Sequence, residues 1–305
     1  MDLEVKMVDQ LLQAINGLAH DLEVDEGISY GEAVMSLREI QISLRQLLLT
    51  GAHSPNADIR RCSVYGLGKI GEREDVGAFI DSLNDSDAVV RAWAVAGLAR
   101  FAEASEIRYL ISSLGDSDSF VYYNTVLALR KFQNDLIVWP LVEALRSSDT
   151  LVRQRAAKLL ASLKDPRAVD ALIFAFADEA SAVRYEVVEA LGQIADARAS
   201  RILLCALNDE DRDVRLAAIK GLQKIGDEQA IEPLVRIILT SEEQRNYAME
   251  TLMAICGPQA VLPVYEALRE IDLQAQRIAH ALSRGTVGHQ RFPSLWDWEP
   301  AAVEN

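Results

Sequence analysis

The stretch Asn208–Asp227, NDEDRDVRLAAIKGLQKIGD, decides how the chain is read. Shifted back in steps of 31 residues, its pattern returns in six copies. Their markers are Ile59-Arg60, Val90-Arg91, Val121-Tyr122, Val152-Arg153, Val183-Arg184 and Val214-Arg215. Seven residues after each second marker stands Leu67, Leu98, Leu129, Leu160, Leu191 or Leu222. A fixed period of this length is the mark of a solenoid, in which each unit is one supersecondary element.

Each period predicts two helices. The first is short, as over Val76–Leu83 or Ile231–Leu239; the second runs from near the marker, as over Val214–Ile225. Asp87, Asp118, Asp149 and Asp211 lie three residues before the Val of the marker, where a side-chain oxygen can cap orphan backbone N–H groups. Gly71, Gly226 and the Asp165-Pro166 pair are expected to stop second helices. Apolar residues at −1, +3, +4, +7 and +10 from the marker, such as Val214, Ala218, Ile219, Leu222 and Ile225, form one helical stripe. One hairpin cannot bury that stripe alone, so neighbouring copies must stack. The fold class expected is an all-α solenoid of helical-hairpin repeats.

Three segments follow from the register. Residues 1–54 form an N-terminal helical cap or degenerate repeat, with helices over Val5–Leu22 and Gly31–Leu49; residues 55–285 are the repeat array. Gly51–Asp58 is read as the loop into the first regular second helix. After the sixth copy the register loosens to a 30-residue step at Arg245, followed by a last helix over Ile271–Ser283. Residues 286–305 are a tail whose Phe292, Leu295, Trp296 and Trp298 are expected to pack on the last repeat or to bind a partner.

A net charge of −15 argues against a nucleic-acid partner, because there is no basic excess to displace counterions. Cys62, Cys205 and Cys256 show no CxxC spacing, which predicts neither a disulfide framework nor a zinc site. His20, His53, His280 and His289 stand in no metal-ligand or His-Glu pair, so no metal is expected. There is no apolar run long enough to span a bilayer, and the acidic start MDLEVKMVDQ is unlike a signal peptide. A soluble, cytoplasmic protein without membrane insertion is the expectation.

Departures from the repeat mark candidate function. The third copy reads SFVYYNTVLALRKF, with Tyr122 in the Arg column and Tyr123 and Asn124 beside it. The +2 column runs Trp93, Asn124, Arg155, Glu186, and Tyr185 joins Tyr123 at +1. The +2 and +5 columns lie off the apolar stripe, which predicts exposed ladders on the concave, partner-binding face. Trp93, Tyr122, Tyr123, Asn124, Arg155, Tyr185 and Glu186 are therefore the candidate contact residues, since aromatics and Arg dominate binding hot spots. The competing reading makes Tyr122 a packing substitute and Trp93 a surface anchor. The marker arginines are expected to bond acidic residues of neighbouring copies. The +9 cations Lys69, Arg100, Lys131 and Lys224 are expected to complement helix dipoles.

The texts DSDAVVRAWAVAGLARF and DEDRDVRLAAIKGLQKIGD resemble the short HEAT-like repeats of the phycobilisome lyases, E/F type, over about residues 55–285. The resemblance implies a chain that binds a phycobiliprotein subunit and helps join or isomerise an open-chain tetrapyrrole on a subunit cysteine. A second lyase subunit is a further partner that it implies. The bilin would be substrate, with no permanently bound cofactor. A non-catalytic adaptor or chaperone, and a phycobilisome degradation factor, are the alternatives. No short catalytic signature carries over, so the catalytic residues stay unassigned.

Overall fold

A computed structural model describes residues 30–257 continuously and isolated positions on either side. Its contacts divide the chain into two compact units, Met1–Ile194 and Ala195–Asn305. No strand occurs among the described residues. The expected helices over Val5–Leu22 and Ile271–Ser283, and the aromatic tail, lie outside the described residues.

In the first unit, α1 (Tyr30–Gly51) packs on α2 (Ala57–Ile70). First and second helices of each hairpin then alternate, the first being the shorter: α3 (Val76–Ser82), α4 (Ala88–Phe101), α5 (Ile107–Ser112), α6 (Ser119–Leu129), α7 (Asn134–Ala144), α8 (Thr150–Leu163), α9 (Val169–Ala175) and α10 (Ser181–Ile194). α6 and α7, of neighbouring hairpins, are equal in length. The second unit repeats the pattern with α11 (Ser200–Ala206), α12 (Arg212–Ile225), α13 (Ile231–Thr240) and α14 (Arg245–Cys256). The repeat architecture is thus an all-α solenoid of hairpins, as the period predicts.

The caps explain the boundaries. Asp87, Asp118, Asp149 and Asp211 each accept a backbone N–H from the first turn of the helix they precede. In the first copy Asn56 takes this role, bonding the Asp58 N–H, so α2 begins inside the segment read as a loop. Second helices end at Gly71, at Lys164 and at Gly226; the last two are left-handed, with φ of 52° and 73°.

The seven-on column forms the spine of each core. Leu67, Leu98, Leu160 and Leu191 in the first unit, and Leu222 in the second, are 0% exposed, and Leu129 is 1% exposed. The +3 residues Ser63, Ala94, Thr125, Ala156 and Ala218 are buried too, and their small size lets helices approach. Gly97 is needed for a different reason. A Cβ there would fall 2.2 Å from the ring of Phe79, itself fully buried and stacked on Phe101.

Candidate partner-binding face and groove

Ion pairs between copies set the frame of the site. Arg60 grips both carboxylate oxygens of Asp85 (2.6 and 2.8 Å), Arg91 those of Asp116 (2.6 and 2.9 Å), and Arg153 those of Asp178 (2.6 and 3.0 Å). Each partner lies 25 residues on, in the next copy. The remaining Nη1 donates to the carbonyls six and five residues back, Ser54 and Pro55 for Arg60 and Asp85 and Ser86 for Arg91. The marker arginines are structural clamps, as expected, and Arg60 in turn holds the Asp85 carboxyl below its ordinary pKa.

The third copy lacks this clamp twice over. Tyr122 replaces the Arg, and the position 25 residues on is Ser147, not an acid. Arg155 of the following copy fills in. Its guanidinium lies 4.2 Å over the Tyr122 ring and its Nη1 donates to the carbonyls of Leu114 (2.5 Å) and Asp116 (2.7 Å). Asp116 is six residues before Tyr122, so its carbonyl is the one that a marker Arg would have satisfied.

The exchange accompanies an irregular step. Second helices pack directly in the pairs α2–α4, α4–α6 and α8–α10, but toward the preceding copy α8 is seated mainly on the Ser113–Gly115 turn, with little direct packing along α6. Gly115 permits that seat, because a Cβ there would stand 2.6 Å from Asp149 Oδ2 and 2.8 Å from Val152 Cγ2. Where α6 and α8 part, a groove of about 420 Å³ opens, walled by Tyr122, Val126 and Arg130 on one side and Lys158 and Leu159 on the other. Tyr185, Glu186 and Glu189 of α10 complete it.

The structure brings Tyr122, Tyr185 and Glu186 together in this groove, with Arg155 beside Tyr122. It corrects the expectation of an exposed +2 ladder. Glu186 is buried, 3.7 Å from Lys158, and burial pushes its pKa up. Trp93 packs edge-on against Tyr65 at 4.7 Å, and its indole nitrogen is buried without a partner. Asn124 is turned back on its own helix, donating to the Phe120 carbonyl at 2.8 Å. The reason is helix phase: +2 lies on the flank against the preceding second helix, so Trp93 meets Tyr65, Arg155 meets Tyr122 and Glu186 meets Lys158. In the second unit Tyr247 likewise lies under Lys220. The +9 cations also turn inward in one copy, where Arg100 donates to the Gly68 and Lys69 carbonyls.

In the third to fifth copies exposure belongs instead to particular −2, +1 and +5 residues, although Ala92 (+1) and Tyr65 (+5) are buried in the earlier ones. Tyr123 is 59% exposed, Phe120 and Leu127 are exposed on the same helix, and Leu151 on α8 and Tyr185 on α10 are exposed too. Sequence reasoning missed Phe120, Leu127 and Leu151. The signal was there, since Phe120, Tyr123 and Leu127 stand at i, i+3 and i+7 and give α6 a second apolar stripe besides its core stripe. Trp139 on α7 and Phe174 on α9 are exposed on short helices. Among the described residues no cluster of three His, Cys, Asp or Glu side chains could hold a metal, and no disulfide joins Cys62, Cys205 or Cys256. No helix among them is long and apolar enough to cross a membrane.

The family model for HEAT repeats matches residues 138–207, 177–254 and 200–283. Among solved structures, the chain is similar to Kap121p, with a TM-score of 0.50 at 14% identity over 71% of this chain and 30% of that one. The Escherichia coli protein YibA is similar at 18% identity and a TM-score of 0.46, over 84% of this chain and 97% of that one. The complex of CpcE and CpcF of phycocyanin lyase from Nostoc is similar at 19% identity and a TM-score of 0.32, over 72% and 92%. At these identities the likeness is one of fold. No curated protein matches the chain.

Proposed function

We propose that this chain is a protein-binding HEAT-repeat scaffold whose partner docks on the second-helix face of α6, α8 and α10. The exposed stripe of Phe120, Tyr123 and Leu127 on α6, with Leu151 exposed on α8 and Tyr185 on α10, carries the reading. The core does not use these side chains, and aromatic and aliphatic residues held on rigid helices are what a docking surface needs. Substituting Tyr123→Ser with Leu127→Ser should abolish partner capture and leave the melting temperature unchanged. Capture that persists would overturn the assignment of this face.

The finer reading makes the partner a phycobiliprotein subunit and the chain a bilin lyase of the E/F type. It rests on the repeat text over residues 55–285. The reaction adds the subunit's cysteine thiol across an ethylidene double bond: sulfur bonds one carbon, the adjacent ring carbon takes the proton, and nothing leaves. The nucleophile belongs to the subunit, and this chain supplies orientation. Arg155, one of the candidate contact residues, is not free to anchor the bilin in this scheme, because its guanidinium already holds the Leu114 and Asp116 carbonyls. Co-expression with a bilin-producing pathway and candidate subunits tests it. A covalently coloured subunit that forms only with this chain establishes the lyase; a subunit that co-purifies uncoloured moves the assignment to a chaperone or adaptor.

A further inference from the structure

The groove beside the docking face has a charge balance unlike the rest of the chain. Five charged side chains line it: Arg130 from α6, Lys158 from α8, Lys164 just after α8, and Glu186 and Glu189 from α10. One of the two acids has a counter-charge, and the other has a neutral partner. Lys158 stands 3.7 Å from Glu186, and Glu189 accepts a 2.8 Å hydrogen bond from Gln193. Arg130 and Lys164 have no ion pair or side-chain hydrogen bond among the described residues. In a chain of net charge −15, two uncommitted cations therefore face one cavity.

Two of the other cations at the ends of second helices are occupied, whereas Lys131 and Lys224 make no ion pair or side-chain hydrogen bond among the described residues. Lys69 lies over the Tyr65 ring, and Arg100 holds two backbone carbonyls and lies over Phe101. Lys164 is also kept at a conformational cost. Its φ of 52° is the left-handed conformation that favours glycine, and the same position one and two copies on holds Ala195 (φ 57°) and Gly226 (φ 73°). The longest side chain of the three sits where the groove is.

We propose that this groove binds a carboxylate side chain from an acidic segment of the docked protein, with Arg130 and Lys164 as its pairing cations. The inference rests on the reading of the neighbouring face as a docking surface and names the chemistry of the partner. Val126, Leu159 and the rings of Tyr122 and Tyr185 give the stem of a Glu or Asp an apolar channel. Three cations against two acids leave the groove a formal charge of about +1, which suits a singly charged carboxylate better than a phosphate dianion. An Arg presents a fork that matches carboxylate geometry, and an adjacent Lys adds a point charge.

The test uses the full-length chain and a fluorescein-labelled peptide, Glu-Leu-Glu-Glu-Leu-Glu, read by fluorescence anisotropy. Its counterpart with Gln for every Glu should bind at least about tenfold more weakly. The double variant Arg130→Gln with Lys164→Gly should lose a similar factor for the Glu peptide, and added salt should mimic the loss. Lys164→Gly alone should raise the melting temperature, which shows that lost binding is not lost folding. Equal affinity for the two peptides, an unaffected double variant, or full displacement of the peptide by inorganic phosphate would each overturn the proposal. If partner capture fails in the Tyr123→Ser, Leu127→Ser chain but persists in the double variant, the docking reading stands and the groove assignment falls.

Discussion

Arg155 lies 4.2 Å over the ring of Tyr122 and gives its Nη1 to the carbonyls of Leu114 and Asp116, 41 and 39 residues earlier in the chain. A residue from the fourth copy thereby does for the third what a marker Arg does elsewhere. The two departures from the repeat are one substitution shared between neighbours. Arg155→Ala should cost about 2 kcal/mol in urea unfolding, because two part-buried carbonyls lose a charged donor. The triple variant Arg155→Ala, Tyr122→Arg, Ser147→Asp should recover most of that loss by restoring the regular clamp. No recovery would show that Arg155 acts alone.

The clamps should matter in proportion to their burial. Arg91 and Asp116 are 16% and 10% exposed and pair through two hydrogen bonds, so Arg91→Ala should cost about 3 kcal/mol, leaving a carboxylate without its partner. Arg212 and Glu243 pair at 2.6 Å but are 54% and 53% exposed. Arg212→Ala should change stability by less than about 0.5 kcal/mol. Equal costs in chemical denaturation would refute the distinction.

Acid should unfold the first unit over a defined window. Arg61 holds the Asp87 carboxyl down at about 2, the Ser105 hydroxyl, the Glu103 backbone N–H and then Arg73 hold Glu106 at about 2, and Arg60 lowers Asp85. Their folded pKa values lie below the unfolded values near 4, so these groups contribute stability above about pH 4 and lose it as the pH falls towards 2. Circular dichroism against pH should show a flat signal at neutral pH and a cooperative loss in that window. A transition centred above pH 5 would point to some other group.

Glu186 has the opposite sign. Burial raises its pKa, with Lys158 opposing, so its contribution is fully present below the ordinary carboxylate value and is lost as the pH rises past the folded one. Glu186→Gln should therefore be more stable than the parent at pH 7, the difference vanishing below about pH 4. A destabilised variant at pH 7 would mean that the Lys158 pair outweighs the burial of the charge.

Everything that repeats within one period was written locally. Asp87, Asp118, Asp149 and Asp211 cap the helices that their spacing predicted, and the Leu67–Leu222 column is the buried spine of each unit. Caps depend on backbone groups two or three residues away, and a helical stripe depends on residues three or four apart, so neither needs knowledge of the fold. What the period could not decide was the direction in which the flanking columns face. Trp93, Asn124, Arg155 and Glu186 lie off the core stripe, yet three of them are spent against the preceding helix, because the rotation of one second helix against the next is set by packing between copies. The parting of α6 from α8 is more distant still. It depends on Gly115 admitting Asp149 and Val152, and on Arg155 reaching back 41 residues to Leu114. Residues 34 to 41 apart meet there outside the 31-residue register, and only the tertiary structure could place them in contact.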